Sequence, residues 1–138
     1  MPRLQPFAAE AGVFLSTALL TYTSLMLDES SFRRHSDDAL ESLKQSLIAA
    51  EDDADGAFEF EDNNGVMNII FGDGSSKFVV TPNTPIRQIW ISALATSYKL
   101  DWSEDASTFA LPKTGESLKT LIQRLLREHL NDPTITLT

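Results

Sequence analysis

The residues of this 138-residue chain best suited to chemistry are carboxylates, and they are crowded. Between Asp28 and Asp62 stand twelve acids and three bases, a net charge of −9, which equals the formal charge of the whole chain. They fall into groups: Asp28 and Glu29; Asp37, Asp38 and Glu41; Glu51, Asp52, Asp53 and Asp55; then Glu59, Glu61 and Asp62. Oxygen donors without thiolates suit hard cations such as Mg²⁺, Ca²⁺ and Mn²⁺, and also ferric iron. Like charges packed this closely destabilise the compact state. A bound cation, a basic partner, or water and salt must offset that repulsion. From the residues alone, a solvated acidic face is the competing reading.

Other chemistries are excluded or poorly supported. The chain has no cysteine, hence no disulfide, no thiol nucleophile and no iron–sulfur cluster held by its own thiolates. Its negative charge argues against nucleic acid, whose binding rests on cationic contacts to phosphate. Glu51, Asp53, Asp55, Gly56, Phe58 and Asp62 fall at the spacing of a calcium loop. Position 1 is Glu, position 12 is not Glu, and a β-rich run follows instead of a helix, so the pattern fails. Gly72 to Lys77 lacks the spacing of a phosphate-binding loop and reads as a hairpin turn. His35 and His129 have no paired ligand spacing and read as ordinary surface or boundary residues. No serine nucleophile elbow is present.

Periodicity supplies the elements that must carry these acids. Residues 28–51 predict a helix, capped by Asp28 or Ser30, with Phe32, Ser36, Ala39, Leu40, Leu43, Leu47 and Ala50 on an inward stripe. Asp37, Asp38 and Glu41 project outward, as do Lys44, Gln45 and Ile48. After an acidic link the period changes to two, so that Phe58 and Phe60 oppose Glu59 and Glu61. Asn63-Asn64-Gly65 turns into the strand Val66–Phe71, and further strands follow at 77–81, 88–92, 97–102 and 108–111. A last helix starts at Thr114 or Gly115, with Leu118, Leu121, Ile122, Leu125 and Leu126 inward, and ends at Asn131-Asp132-Pro133. The tail Ile135 to Thr138 is apolar enough to cover a core edge. The expected fold is α+β: a two-layer α/β sandwich of two terminal helices on one face of a five- to six-stranded antiparallel sheet. Ile89 and Ile91 then face the helices. Trp90 and Gln88 lie on the open face, where an exposed Trp is either a cover for the sheet or an interface anchor.

Two regions divide the chain. Residues 27–138 read as one domain. Residues 1–26 read as an upstream extension, with a signal or anchor and an extra packed helix as alternatives. The run Ala11–Leu27 is interrupted by Ser16, Thr17, Thr21, Thr23 and Ser24, and falls short of the roughly 20 strongly apolar residues of a membrane helix.

Several stretches, in order, resemble the frataxin family: SFRRHSDDALESL, GVMNIIFGDG, TPNTPIRQIWIS, YKLDW and GESLKTLIQRLL. The resemblance covers Leu27 to Leu130 and looks closer to bacterial members. It implies a protein that binds Fe²⁺ and Fe³⁺ weakly and exchangeably on carboxylates, and acts in iron–sulfur cluster assembly on the cysteine desulfurase–scaffold complex. The family's metal-binding acids fall on Asp28, Glu29, Asp37, Asp38, Glu41, Glu51, Asp52, Asp53, Asp55, Glu59 and Glu61. Its partner-binding sheet face falls on Asn83, Gln88 and Trp90, with Lys99 a weaker match. The resemblance further implies no membrane association, a monomer with iron-dependent oligomers as a variation, and a bacterial cytoplasm or, alternatively, a mitochondrial matrix. Lys44 to Ile48 depart from the family pattern, where acids are usual, and split the ridge into an upper and a lower group. Most binding weight is therefore expected on Glu51–Glu61. A non-enzymatic role is expected. A ferroxidase or iron-storage activity on the same carboxylates, and an acidic interaction module without metal, are the alternatives.

Overall fold

The computed structural model describes residues 27–72, 74 and 76–138. The readings of residues 1–26 lie outside them. The elements are α1 (Glu29–Asp53), β1 (Phe58–Asn63), β2 (Val66–Phe71), β3 (Ser76–Asn83), a 3₁₀ turn (Thr84–Ile86), β4 (Gln88–Ala93), β5 (Thr96–Ser103), β6 (Thr108–Ala110) and α2 (Leu118–Leu130). The six strands form one antiparallel sheet in chain order. Both helices pack on one face, as the two apolar stripes require.

Each helix begins where a side chain replaces missing backbone partners. The Ser31 amide donates to Asp28 Oδ1 at 2.7 Å, which satisfies one orphan N–H of the first turn. That backbone hydrogen bond is the main reason the Asp28 carboxyl titrates below its ordinary value. Helix α2 starts at Leu118, later than expected, because Ser117 is its cap: the Thr120 amide donates to Ser117 Oγ at 3.3 Å. Thr114 and Gly115 instead form a turn that lets Ser117 bridge to Ala110. Asn131 closes α2 at φ 52°, a left-handed position Asn tolerates.

The core lies between the sheet and the helices. Phe32, Leu43 and Leu47 of α1 and Leu121, Ile122 and Leu126 of α2 are completely buried, each contributing about 1.5–3 kcal/mol by leaving water. They meet Phe58, Met67, Ile69, Phe78, Val80, Ile89, Ile91, Leu100 and Phe109 from the sheet. The inward positions of Ile89 and Ile91 are as expected. The tail adds Ile135 and Leu137 to this core. It is tied down by Arg127 Nε donating to the Ile135 carbonyl at 2.6 Å and the Leu137 amide donating to Gln123 Oε1 at 2.9 Å. Ser46, absent from the expected stripe, is buried and donates to the Thr138 carbonyl at 3.1 Å. A buried hydroxyl needs such a partner, and here the tail supplies it.

Among the described residues, no helix is long and apolar enough to cross a membrane.

Candidate functional site

The acids are carried by one flank of the domain: the outer face of α1, the link after it, and edge strand β1. The structure separates them by what each already holds. At the start of α1, Asp28 is the cap, and Glu29 pairs with Arg33 at 2.9 Å. In the upper group, Glu41 Oε2 accepts from Gln45 Nε2 at 2.7 Å, whereas Asp37 and Asp38 make no ion pair or hydrogen bond to any described side chain. Glu51 is half-buried and its carboxylate accepts the Phe60 amide at 3.2 Å. It thereby covers an N–H of edge strand β1 that would otherwise be unpaired.

The lower group is different. Asp52, Asp53, Asp55, Glu59 and Glu61 are exposed, and none forms an ion pair among the described residues. Asp52 and Asp53 occupy the last turn of α1, which holds no basic residue. The helix dipole is negative there, so these carboxylates stand where intrinsic electrostatics disfavour them. The chain then turns through Asp55 (φ 54°) and Gly56 (φ 85°). Glu59 and Glu61 follow on the open face of the sheet, opposite Ile70 and Asn68. Their strand partners offer no cation.

Asp62, the last acid of the cluster, faces the other way from Glu59 and Glu61. Asp62 shares strand parity with Phe58 and Phe60, which turns it toward α1. Its carboxylate lies 3.6 Å from Lys44 Nζ, with both side chains about one third exposed (35% and 32%). Asp37, Glu41, Lys44 and Asp62 line a shallow hollow of ≈ 250 Å³ together with Leu40 and Met67. Lys44 is thus a built-in cation between the upper group and β1. Ile48, one turn further, is 40% exposed, as its outward position predicts. Among the described residues no three His, Asp or Glu side chains converge on a point suited to a metal ion. The flank offers charge density and separate carboxylates rather than a closed cage.

On the open sheet face, Gln88, Trp90, Lys99 and Asp101 form a connected polar patch. Trp90 Nε1 donates to Gln88 Oε1 at 2.9 Å, and Gln88 Nε2 donates to Asp101 Oδ1 at 2.9 Å. Lys99 Nζ stands 4.9 Å from the Trp90 ring centroid, within cation–π range. Lys99 is directly opposite Trp90 across β4 and β5, and Asn83 is opposite Gln88 across β3 and β4. All four sheet-face candidates are therefore brought together. Trp90 is half-buried, its indole held in a fixed orientation by these neighbours.

Comparison with known proteins follows the same outline. Residues 25–132 match the family described as the frataxin-like domain. The iron–sulfur cluster assembly protein CyaY of Pseudomonas fluorescens (strain Pf0-1) is 24% identical over 104 residues, 75% of this chain and 90% of that protein. The protein of the same name from Azotobacter vinelandii is 26% identical over 108 residues, 78% and 94% of the two chains. Frataxin from Psychromonas ingrahamii superposes with a TM-score of 0.64 at 15% identity, covering 81% of this chain and 99% of that one, which is a likeness of fold.

Proposed function

This chain belongs to the frataxin-like family, and on that premise we propose that it serves iron–sulfur cluster assembly as a non-enzymatic, iron-binding protein. It takes Fe²⁺ and Fe³⁺ as weakly held, exchangeable cargo on its acidic flank. Through the same flank it docks on the cysteine desulfurase–scaffold complex, either donating iron or regulating the desulfurase. The observation that carries this reading is the set of exposed carboxylates without ion pairs: Asp52 and Asp53 at the negative end of α1, Asp55 in the turn that follows, and Glu59 and Glu61 on the adjoining strand β1. Such groups are costly to a fold and useful to a cationic partner. The patch of Asn83, Gln88, Trp90 and Lys99 is the second contact, directed at the scaffold. A bacterial cytoplasm is the setting this reading carries, with the mitochondrial matrix as the alternative.

Oxygen-only, solvent-exposed donors bind hard cations by charge rather than geometry, which suits rapid exchange. Docking steered by the same charge weakens as salt rises. The test is Asp52→Lys/Asp53→Lys/Asp55→Lys, which spares the structural Glu51. Desulfurase binding at low salt should fall strongly, and Fe²⁺-induced NMR line broadening at residues 52–61 should vanish. Unchanged desulfurase affinity would remove the docking claim. Unchanged broadening would remove the iron claim.

A further inference from the structure

The turn between β1 and β2 joins two exposed residues, Asn64 and Gly65. An asparagine followed by glycine is open to an internal reaction. The Gly65 backbone nitrogen gives its proton to solvent base and bonds to the side-chain carbonyl carbon of Asn64; the carboxamide C–N bond breaks and ammonia leaves. Water then opens the cyclic imide at either carbonyl, to aspartate or to isoaspartate. Glycine favours the first step because no Cβ hinders the approach of its nitrogen. Two features of the fold oppose it. Asn64 and Gly65 have φ of 54° and 87° and are flanked by the pair Asn63 and Val66, the geometry of a type I′ hairpin turn. In that turn ψ of the first central residue is roughly 30°, which carries the Gly65 nitrogen away from the Asn64 side chain, whereas ring closure needs both on one side of the Cα–carbonyl bond. The Gly65 N–H also donates to Asp62 Oδ1 at 3.3 Å, and the other oxygen of that carboxylate stands 3.6 Å from Lys44 Nζ.

We propose that Asn64–Gly65 is a site of self-modification by imide formation, and that the linked groups Lys44, Asp62 and Gly65 hold the reaction back. Asp62 engages the proton that the nucleophile must lose. A carboxylate is far too weak a base to remove an amide proton, so the contact restrains the nitrogen without activating it. Lys44 ties that carboxylate to α1, and the packing of the helix on β1 thereby reaches the chemistry of a turn at the sheet edge. Both products add a carboxylate beside Glu61 and Asp62. Isoaspartate also lengthens the backbone by one carbon, which a two-residue turn cannot accept without disturbing the register of β1 on β2. The modified turn thus alters the strand that carries Glu59 and Glu61. The inference stands apart from any binding of iron or of a partner.

The test is peptide mapping by mass spectrometry of the full-length protein aged at mildly alkaline pH, with aspartate and isoaspartate products separated by chromatography. In the unmodified chain, conversion at Asn64 should be slow when folded and fast in concentrated urea. Asp62→Ala should speed conversion of the folded protein about five- to tenfold, the weight of one exposed hydrogen bond. Lys44→Gln should speed it less. Asp62→Asn keeps an acceptor oxygen and should stay close to the unmodified rate. Amide NMR of β1 and β2 shows whether the hairpin survives in Asp62→Ala, and the comparison with Asp62→Asn carries the test where it does not. Conversion no faster in Asp62→Ala than in the unmodified chain, Asp62→Asn as fast as Asp62→Ala, or an unmodified chain that converts as fast folded as in urea would each overturn the proposal.

Discussion

Lys44 is the residue through which the electrostatics of the acidic flank can be tested most directly. Its ammonium stands 3.6 Å from Asp62 in a hollow shared with Asp37 and Glu41. A divalent ion bridging Asp62 and Glu41 would lie about 5 Å from that ammonium. Repulsion between charges of +2 and +1 at that range is about 1.7 kcal/mol in water-like surroundings. Salt screens part of this at a site one third exposed, which leaves about 1 kcal/mol. Lys44→Gln should therefore tighten divalent binding at the upper group about five- to tenfold. Lys44→Arg, which keeps the charge, should leave it unchanged. The assay is Mn²⁺-induced broadening in amide NMR spectra. In Lys44→Gln, new broadening is expected at Asp37, Glu41 and Asp62 at concentrations that leave those residues sharp in the unmodified protein. Stability should barely move, because an exposed ion pair contributes about 0–1 kcal/mol. An unchanged broadening pattern in Lys44→Gln would refute the idea that this lysine divides the ridge.

Five substitutions at other sites have equally definite expected outcomes. Glu51→Ala removes the acceptor of the Phe60 amide and should cost about 1 kcal/mol, read as a lower urea midpoint at constant slope. Ser117→Ala removes the α2 cap and should also cost about 1 kcal/mol, whereas Leu94→Gly should gain about 1 kcal/mol in thermal melts because Leu94 sits at φ 58° in the β4–β5 turn. Acid unfolding should reflect Glu116, whose carboxyl is held below its ordinary value of 4.5 chiefly by the hydrogen bond from Arg124. A lowered folded value means the contribution is present above the unfolded pKa and lost as pH falls through the folded one, so Glu116→Gln should flatten the acid limb of a stability–pH curve. On the proposed docking, Trp90→Ala should reduce scaffold-dependent effects while amide NMR dispersion is kept; collapse of the spectrum would show that Trp90 only covers the sheet.

The fold was legible because each element announces itself locally. Alternation in Phe58–Glu61 and Gln88–Ile91, the Asn64-Gly65 turn, and the stripe of α1 each encode their own face. The acids of the flank were equally visible as residues. What their positions could not disclose was which of them are already engaged, since that depends on groups brought together by the tertiary fold. Glu51 meets Phe60 only because α1 runs alongside β1. Asp62 meets Lys44 only once the sheet packs on α1, although the parity of Phe58-Glu59-Phe60-Glu61-Asp62 did signal its inward turn. The imidazole of His35 stacks on the indole of Trp102, joining α1 to β5, and nothing near His35 in sequence indicates it. The start of α2 falls at Leu118 rather than at the expected Thr114 or Gly115 because a turn and a helix start use the same residue types.

The strands lie in the sheet in the order in which they are made, and the two helices that roof it come from opposite ends of the domain. During synthesis, α1 is available from the outset to cover half of the apolar face. The other half stays bare until α2 and the tail carrying Ile135 and Leu137 emerge. Residues 111–137 must be made before both tail residues are available, about one to five seconds at ordinary ribosomal speed. For that interval the nascent chain displays Phe78, Ile91 and Leu100 with only part of their cover. Cover for the second half of the sheet is therefore the last thing synthesis supplies, and slowing translation across residues 111–137 delays it directly.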